Sequence, residues 1–565
     1  MDGAGCAGPV RRVFAVGVVE IAGELELKLR RHLFFSFSLF LFGAAGLPGS
    51  LRGQTSVPVI SRISLAVHGA YDSTDANLLT KILSFFHVTT KEQFIRKEIP
   101  FRAGEPFDSA RVAEAERNLR ALGVFKSVSV TTTRIGDSVA VLITTRDLIT
   151  AQLVESFSNS GGSITWGVKL VEANLLGTLS AAEVGYRHDP DRNTFDVAVA
   201  RRRLFNNKIN GAIGVFDRSD GTLFYAQLTQ PYFEASSRTS GALYFDDRSA
   251  RILQYRNGKT DTAFAAVQNR YLLTRVDYGH ALRANSAGYF RLGAAAQVRR
   301  DDYIADSLYQ LGGFPVSSVT GAFGVYAEVS RVNKPKIFAF QSMSSEEDVD
   351  LSTTARFSLF VAPALLGYQP GHAGFAPGVG LHTGFKFPGG FVFADAFATG
   401  LYTSNGLDSG QVYAGATAVI TPGRRHQLLL HGDIAALKNP LPGTEFDLGL
   451  GTGPRAYHLH SFTGDREYIA TAEYRFTLGR DLFKAADIGL AAFFDLGGAW
   501  WAGDTRRSGW DAGVGVRSAF GHGTGLGVNR LDLAWRGSRP DLPGGWVVAV
   551  GRGFVFSTSP RGTSR

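Results

Sequence analysis

GGFVFADAFATG (389–400), GWDAGVGVRSAFG (509–521) and TFDVAVARRR (194–203) share one pattern: apolar or aromatic residues alternate with small or polar ones. A period of two is that of a strand with two unlike faces. Outward from these segments the same alternation recurs in GTLFYAQLTQ (221–230), SGALYFDDRS (240–249) and GAFGVYAEVS (321–330). Turn signals such as DPDRN, SDG, NGK, PGG, SNG and LPGT separate them, and no long helical pattern intervenes. The 407 positions from 150 to 556 are too many for one sandwich, and no fixed repeat period supports a propeller or solenoid. With about 9–11 residues per membrane-crossing strand, residues 149–556 are expected to form an all-β transmembrane barrel of about sixteen antiparallel strands.

Composition agrees. The 565 residues include 67 Gly, 12% are aromatic and only 19% are charged. That suits strands showing one face to lipid and the other to water. The formal charge of +9 is scattered, without a block of five or six like charges, so it reads as solvated surface and no nucleic-acid partner is expected. Cys6 is the single cysteine, which excludes a disulfide framework and a cysteine-based metal site.

Residues 28–50, KLRRHLFFSFSLFLFGAAGLPGS, run from basic to apolar to small, the order of a secretory signal peptide. The apolar stretch is too short to span a bilayer as a helix. Residues 1–54 are therefore expected to be a signal peptide with an N-terminal extension, translation starting near Leu27 and cleavage falling within 44–54.

Residues 57–148 read as a small α/β domain of order β-α-α-β-β. VPVISRISLAV alternates, residues 76–98 look helical around a break at HVTT, and Thr90 is placed to cap the helix that follows. After a turn at Gly104, Asp108 or Ser109 caps a second helix. Val112, Ala115, Leu119 and Leu122 form its apolar stripe, with Glu114, Arg117 and Arg120 on the polar side. FKSVSVTTT and SVAVLITT then make a hairpin. The segment IRKEIPFRAGEPFDSARVAEAERNLRALGVFKSVSV resembles a POTRA domain, the periplasmic module of BamA/TamA-type outer-membrane barrels; Gly104, Phe107, Leu119, Leu122, Phe125 and Val128 carry the likeness as its turn and core.

That resemblance extends over most of 88–556. GGSITWGVKLVEANLLGT (161–178) is similar to the family's second strand and its turn, through Glu172, Asn174 and Gly177. In PRAYHLHSFTGDREYIATAEYRF, Arg455 and Tyr457 match the family's lumenal loop motif, whose glycine is Ala456 here. In AAFFDLGGAWW, Phe493, Asp495 and Gly497 match the strand motif whose carboxylate holds the loop arginine, and Glu473 lies between them on an inward position. The resemblance thus implies an Arg455–Asp495 contact inside the barrel. WVVAVGRGFVF (546–556) is similar to the family's C-terminal strand signal; Gly551, Gly553, Phe554 and Phe556 are its expected seam and signal residues, and 557–565 form a short tail.

Nucleophile elbows, zinc-binding helices and phosphate loops are missing, so no catalytic residue, metal or cofactor is expected, and the chain is not expected to be an enzyme. His426 and His431 fall on opposite strand faces, and SSEED (344–348) reads as a surface loop. The resemblance implies insertion, assembly or translocation of proteins at the bacterial outer membrane. Expected partners are outer-membrane lipid, lipopolysaccharide, and periplasmic client polypeptides or accessory proteins at the POTRA-like domain. A passive pore or surface antigen and a polypeptide secretion channel are the alternative readings.

Overall fold

The computed structural model describes residues 57–70 and 88–557, apart from 149, 161–162, 205–207, 235, 257, 259–262, 264, 307–315, 367–372, 441–442, 450–451, 483–485 and 521–527. The expected signal peptide, the first half of the 76–98 segment and most of the tail lie outside these residues.

The N-terminal domain runs β1 (Val59–His68), α1 (Glu92–Glu98), α2 (Ser109–Arg120), β2 (Phe125–Ile135) and β3 (Ser138–Asp147). β3 is central, parallel to β1 and antiparallel to β2. Asp108 caps α2 by accepting from the backbone N–H of Ala110 at 2.8 Å. Gly104 and Gly123 hold positive φ at the turns on either side of that helix. Leu119, Phe125 and Val128 are buried in the core beside Ile60, Ile95 and Ile143, with Phe107 and Leu122 packed partly against it.

Two expectations fail here. The residue before α1 is Lys91, with no side-chain cap, and Thr90 instead donates to Asp147 at 3.0 Å. The polar side of α2 is not free: Arg120 binds Asp348 through both carboxylate oxygens, and Glu114 is buried.

From β4 (Ala151–Ser160) to Gly545–Arg552 the chain closes into one antiparallel barrel of twenty strands. The class matches the sequence reading; the count of about sixteen does not. The difference lies in the connections. Hairpins such as Asn285–Gly288, Phe387–Gly390, Thr403–Gly406 and Gly423–His426 turn within a few residues, leaving room for four more strands.

The strand Ala486–Trp500 shows why the alternation was readable. Asp487, Ala491, Phe493 and Asp495 are buried toward the lumen, while Leu490 and Phe494 are exposed on the outer face. Exposed Leu153, Phe157, Trp166, Val197, Phe323, Phe357 and Trp535 continue that outer apolar band around the barrel.

Candidate functional site: a lumenal lock, a seam and a docked domain

Between the strands His426–Lys438 and Arg466–Leu482 the chain makes a long excursion from the mouth remote from the N-terminal domain. It returns as a buried hairpin, Phe446–Leu448 against Phe462–Gly464, whose tip lies in the lumen. Arg455 sits at that tip and is 1% exposed. Its Nε and Nη2 donate to the two oxygens of Asp495 at 2.6 and 3.2 Å. Its Nη1 reaches Glu473 at 3.2 Å and Asp532 at 2.9 Å. The guanidinium lies 3.6 Å from the ring centroid of Phe493. A planar fork with delocalised charge is the cation suited to a bidentate carboxylate and an aromatic face together.

The other predicted residues of this group meet there too. Tyr457 is fully buried, its hydroxyl 3.2 Å from the carbonyls of both Trp510 and Gly537. Gly497 leaves room for the loop: a Cβ there would stand 2.9 Å from Pro454 Cδ. Ala456 needs no left-handed backbone; it is buried, and its N–H donates to Asp511 at 2.8 Å.

The sequence reading missed the rest of the cluster. Arg517 forks onto Glu473 at 3.0 and 2.9 Å and reaches Asp532 at 2.5 Å. Arg475 donates to Glu473 at 2.6 Å, and Arg530 to Asp532 at 3.5 Å. Asp511 faces Asp495 across the ladder. A signal was present for Asp511 and Arg517 and for Arg530 and Asp532: they occupy alternate positions opposite the exposed Trp510, Val514 and Val516 of one strand and Leu531, Leu533 and Trp535 of the next.

A second anchor lies nearer the far mouth. His460 holds φ at +66° and stacks on Tyr255 at 3.5 Å between centroids. Its Nδ1 is 2.6 Å from Asp447 and its Nε2 3.2 Å from Asp191. Burial alone would lower its pKa, but the flanking carboxylates prevail and push it up to about 10. Nearby Glu445 is pushed up to about 7, first by burial and then by Asp447.

The last strand ends at Arg552, which corrects the C-terminal reading. Gly553 adopts φ +74° and turns the chain into the lumen. Phe554 and Phe556 are therefore not lipid-facing strand residues. They stack on one another at 4.9 Å, with Phe556 also on His431 at 4.0 Å and Arg475 4.9 Å from the Phe554 ring. The carbonyl of Val555 accepts from Gly453 at 3.0 Å, so the chain end meets the loop tip. The reason is local: a flexible glycine follows the strand, and an enclosed aromatic and cationic surface is within reach. Gly551 remains on the strand and makes space for the Arg530 guanidinium, which a Cβ would meet at 2.6 Å.

The seam between first and last strands is the weak point of the wall. Among the described residues its register holds at Val550↔Asn159, supported by Asn159 Nδ2 donating to the Val548 carbonyl at 3.2 Å. The adjacent ladders run the whole length of their strands. Among the described residues, β4 from Ala151 to Ser158 has no strand partner on that side.

The N-terminal domain docks on the near mouth through polar contacts that residue types alone did not disclose. Buried Glu98 takes both Arg202 and Arg203, the latter through Nε at 3.0 Å and Nη2 at 2.8 Å. Burial would raise the carboxyl's pKa, but Arg202 and Arg203 hold it below its ordinary value. Asn174 donates to Thr90 at 2.7 Å, and Gly177 (φ +69°) packs so closely that a Cβ would stand 2.5 Å from the Thr89 carbonyl. SSEED is not a free surface loop. Glu347 accepts backbone N–H groups from Phe340, Gln341 and Ser342, and Asp348 binds Arg120. His426 and His431 do fall on opposite faces, paired with Tyr474 and with Thr417 and Asp433.

Residues 86–146 match the family model described as POTRA, surface antigen variable number repeat. A search of curated proteins finds no match. Among solved structures, the chain is similar to CdiB from Escherichia coli (12% identity, TM-score 0.44, covering 90% of this chain and 92% of that one). It is similar to CdiB from Acinetobacter baumannii (10%, 0.41, 88% and 74%) and to BamA from Haemophilus ducreyi lacking POTRA domains 1–3 (11%, 0.39, 88% and 84%). A POTRA domain leading into a closed, outwardly apolar barrel is the architecture of an outer-membrane β-barrel protein. Residues 86–146 of this chain are thus a POTRA domain, followed by a closed barrel of twenty antiparallel strands.

Proposed function

We propose that this barrel assists the insertion, assembly or translocation of polypeptides at the outer membrane, with its POTRA domain in the periplasm receiving the client. The supporting observation is the seam: among the described residues one pair joins the strands, and the β4 edge from Ala151 to Ser158, unpaired on that side, offers backbone donors and acceptors to an incoming strand. The outer edges of the POTRA sheet, β1 and β2, offer a second pairing surface for periplasmic clients or accessory proteins. Outer-membrane lipid and lipopolysaccharide surround the apolar wall. Strand pairing and apolar burial in the bilayer supply the driving force.

The passive-pore reading is disfavoured by the lumen, which holds the Arg455 loop, its ion pairs and the chain's own C-terminal aromatics. The test is a disulfide across the seam, Asn159→Cys with Val550→Cys, in cells depleted of the native protein, read by quantitative proteomics of the outer membrane. Selective loss of other outer-membrane proteins, restored by reductant, is expected. An unchanged proteome, with altered permeability to small solutes only, overturns the proposal in favour of a pore.

A further inference from the structure

At the near mouth a cavity of about 390 Å³ lies between the 336–343 segment and the turns at Gly389 and Gly423–Arg425. Its walls contain no Asp or Glu, yet Lys336, Lys386, Arg424, Arg425, Arg475, Arg480 and Arg517 all line it. Three of these cations are already paired: Lys336 with Glu116, Arg475 with Glu473, and Arg517 with Glu473 and Asp532. Arg480 donates to two backbone carbonyls, those of Met343 and Arg424, with Asp487 on the neighbouring strand. Among the described residues, no carboxylate pairs with Lys386, Arg424 or Arg425, and all three are exposed.

Like charges gathered at one opening repel unless an anion is shared between them. The turn positions place this charge at the boundary of the outer apolar band. The wall also includes Phe476 and Leu490, which face each other across their ladder, with Leu490 45% exposed on the outer face. A bound anion would therefore have an apolar track beside it leading toward the bilayer.

We propose that this cavity binds the phosphate headgroup of an anionic phospholipid from the adjoining leaflet, with Lys386, Arg424 and Arg425 neutralising the phosphate and an acyl chain lying along Phe476 and Leu490. The site fixes the near mouth at a defined depth in the membrane, and it does so whether or not the barrel has client proteins.

The test titrates full-length protein in detergent with dihexanoyl phosphatidylglycerol, dihexanoyl phosphatidylcholine and inorganic phosphate, following bound lipid by native mass spectrometry. Phosphatidylglycerol is expected to bind more tightly than phosphatidylcholine. The triple variant K386Q/R424Q/R425Q is expected to lose that preference by on the order of a hundredfold, since each basic residue near an anionic lipid surface contributes about fivefold. Retained heat-modifiable migration shows that the variant is folded; if the triple variant does not fold, K386Q alone is expected to show about a fivefold loss. Equal binding of the two lipids, an unaffected folded variant, or inorganic phosphate competing as well as the lipid would each overturn the proposal, the last by making this a free-anion site.

Discussion

Arg455→Ala removes the one guanidinium shared by Asp495, Glu473 and Asp532. In the wild-type cluster, Arg455, Arg475, Arg517 and Arg530 stand buried among Glu473, Asp495, Asp511 and Asp532. Without Arg455, buried Asp495 loses its bidentate partner, and Glu473 and Asp532 each lose a donor. Breaking such a pair costs about 3–5 kcal/mol because the remaining charge stays buried. The wall ladders do not involve Arg455, so the loss should fall on the loop rather than on the barrel. Hydrogen exchange across 452–461 is the assay. With exchange governed by local opening, protection should fall by on the order of a hundredfold to several thousandfold. Arg455→Lys keeps the charge but not the fork and should lose less. The double variant R455A/D495N should lose less than the sum of the two single changes, since each single change strands what the other removes. Wild-type protection of the loop in folded R455A protein, or an equal loss in the rim control R425A, would refute the assignment of Arg455 as the lock.

Glu98→Ala leaves Arg203 buried without its carboxylate partner and should release the POTRA domain at a cost of about 3–5 kcal/mol, read as lost cross-linking between cysteines placed at Thr89 and Leu176. Because the folded pKa of Glu98 is depressed, that docking is fully present above the ordinary carboxylate range and should weaken only as pH falls through the lower folded value. His460, raised to about 10, contributes stability that is complete below about 6.5 and is lost as pH rises through 10; proteolysis of the loop should accelerate across that window, and H460Q should abolish the dependence. Glu445, also raised, adds stability that is lost between about 4.5 and 7, and E445Q should flatten that part of the profile. Ending the chain after Arg552 removes the lumenal aromatics, so ion conductance in planar bilayers should rise while the folded barrel still forms; an unchanged conductance would contradict the lumenal placement of Phe554 and Phe556.

What the sequence disclosed follows from periodicity. Strands with one lipid face and one lumenal face write their orientation into every second residue, so the barrel class, the inward position of Glu473 and the opposite faces of His426 and His431 could be read directly. Arg455 and Asp495 were legible for another reason: they sit in local motifs that resemble the loop and strand motifs of BamA/TamA-type barrels, and that resemblance implied their contact. Strand number was not legible, because alternation reports faces and not where a two-residue turn divides a long run. Partners from different strands were also hidden. Nothing local to Arg517 or Asp532 says that both reach Glu473, and nothing local to Glu98 says that it meets Arg203, because those contacts depend on registers and docking fixed only by the closed barrel. The C-terminal aromatics were misread for a related reason: a strand and the turn that ends it differ here by one glycine at φ +74°.

The relative strengths of these contacts argue for where movement begins. Displacing the loop means unpairing Arg455 from buried carboxylates, at about 3–5 kcal/mol, and unstacking Phe556 from His431 adds about 0.5–1.5 kcal/mol. Releasing the POTRA domain exposes Glu98 and Arg203 at a similar cost. Among the described residues, parting the seam breaks the pairing at Val550↔Asn159 and the Asn159 hydrogen bond to Val548, interactions of about 0.5–1.5 kcal/mol each. The wall therefore yields before the plug does. Under the proposed function, a polypeptide strand arriving at β4 would replace the lost bonds with its own, whereas opening through the lumen has no such compensation. On that reading the loop and tail keep solutes from crossing while the wall is parted.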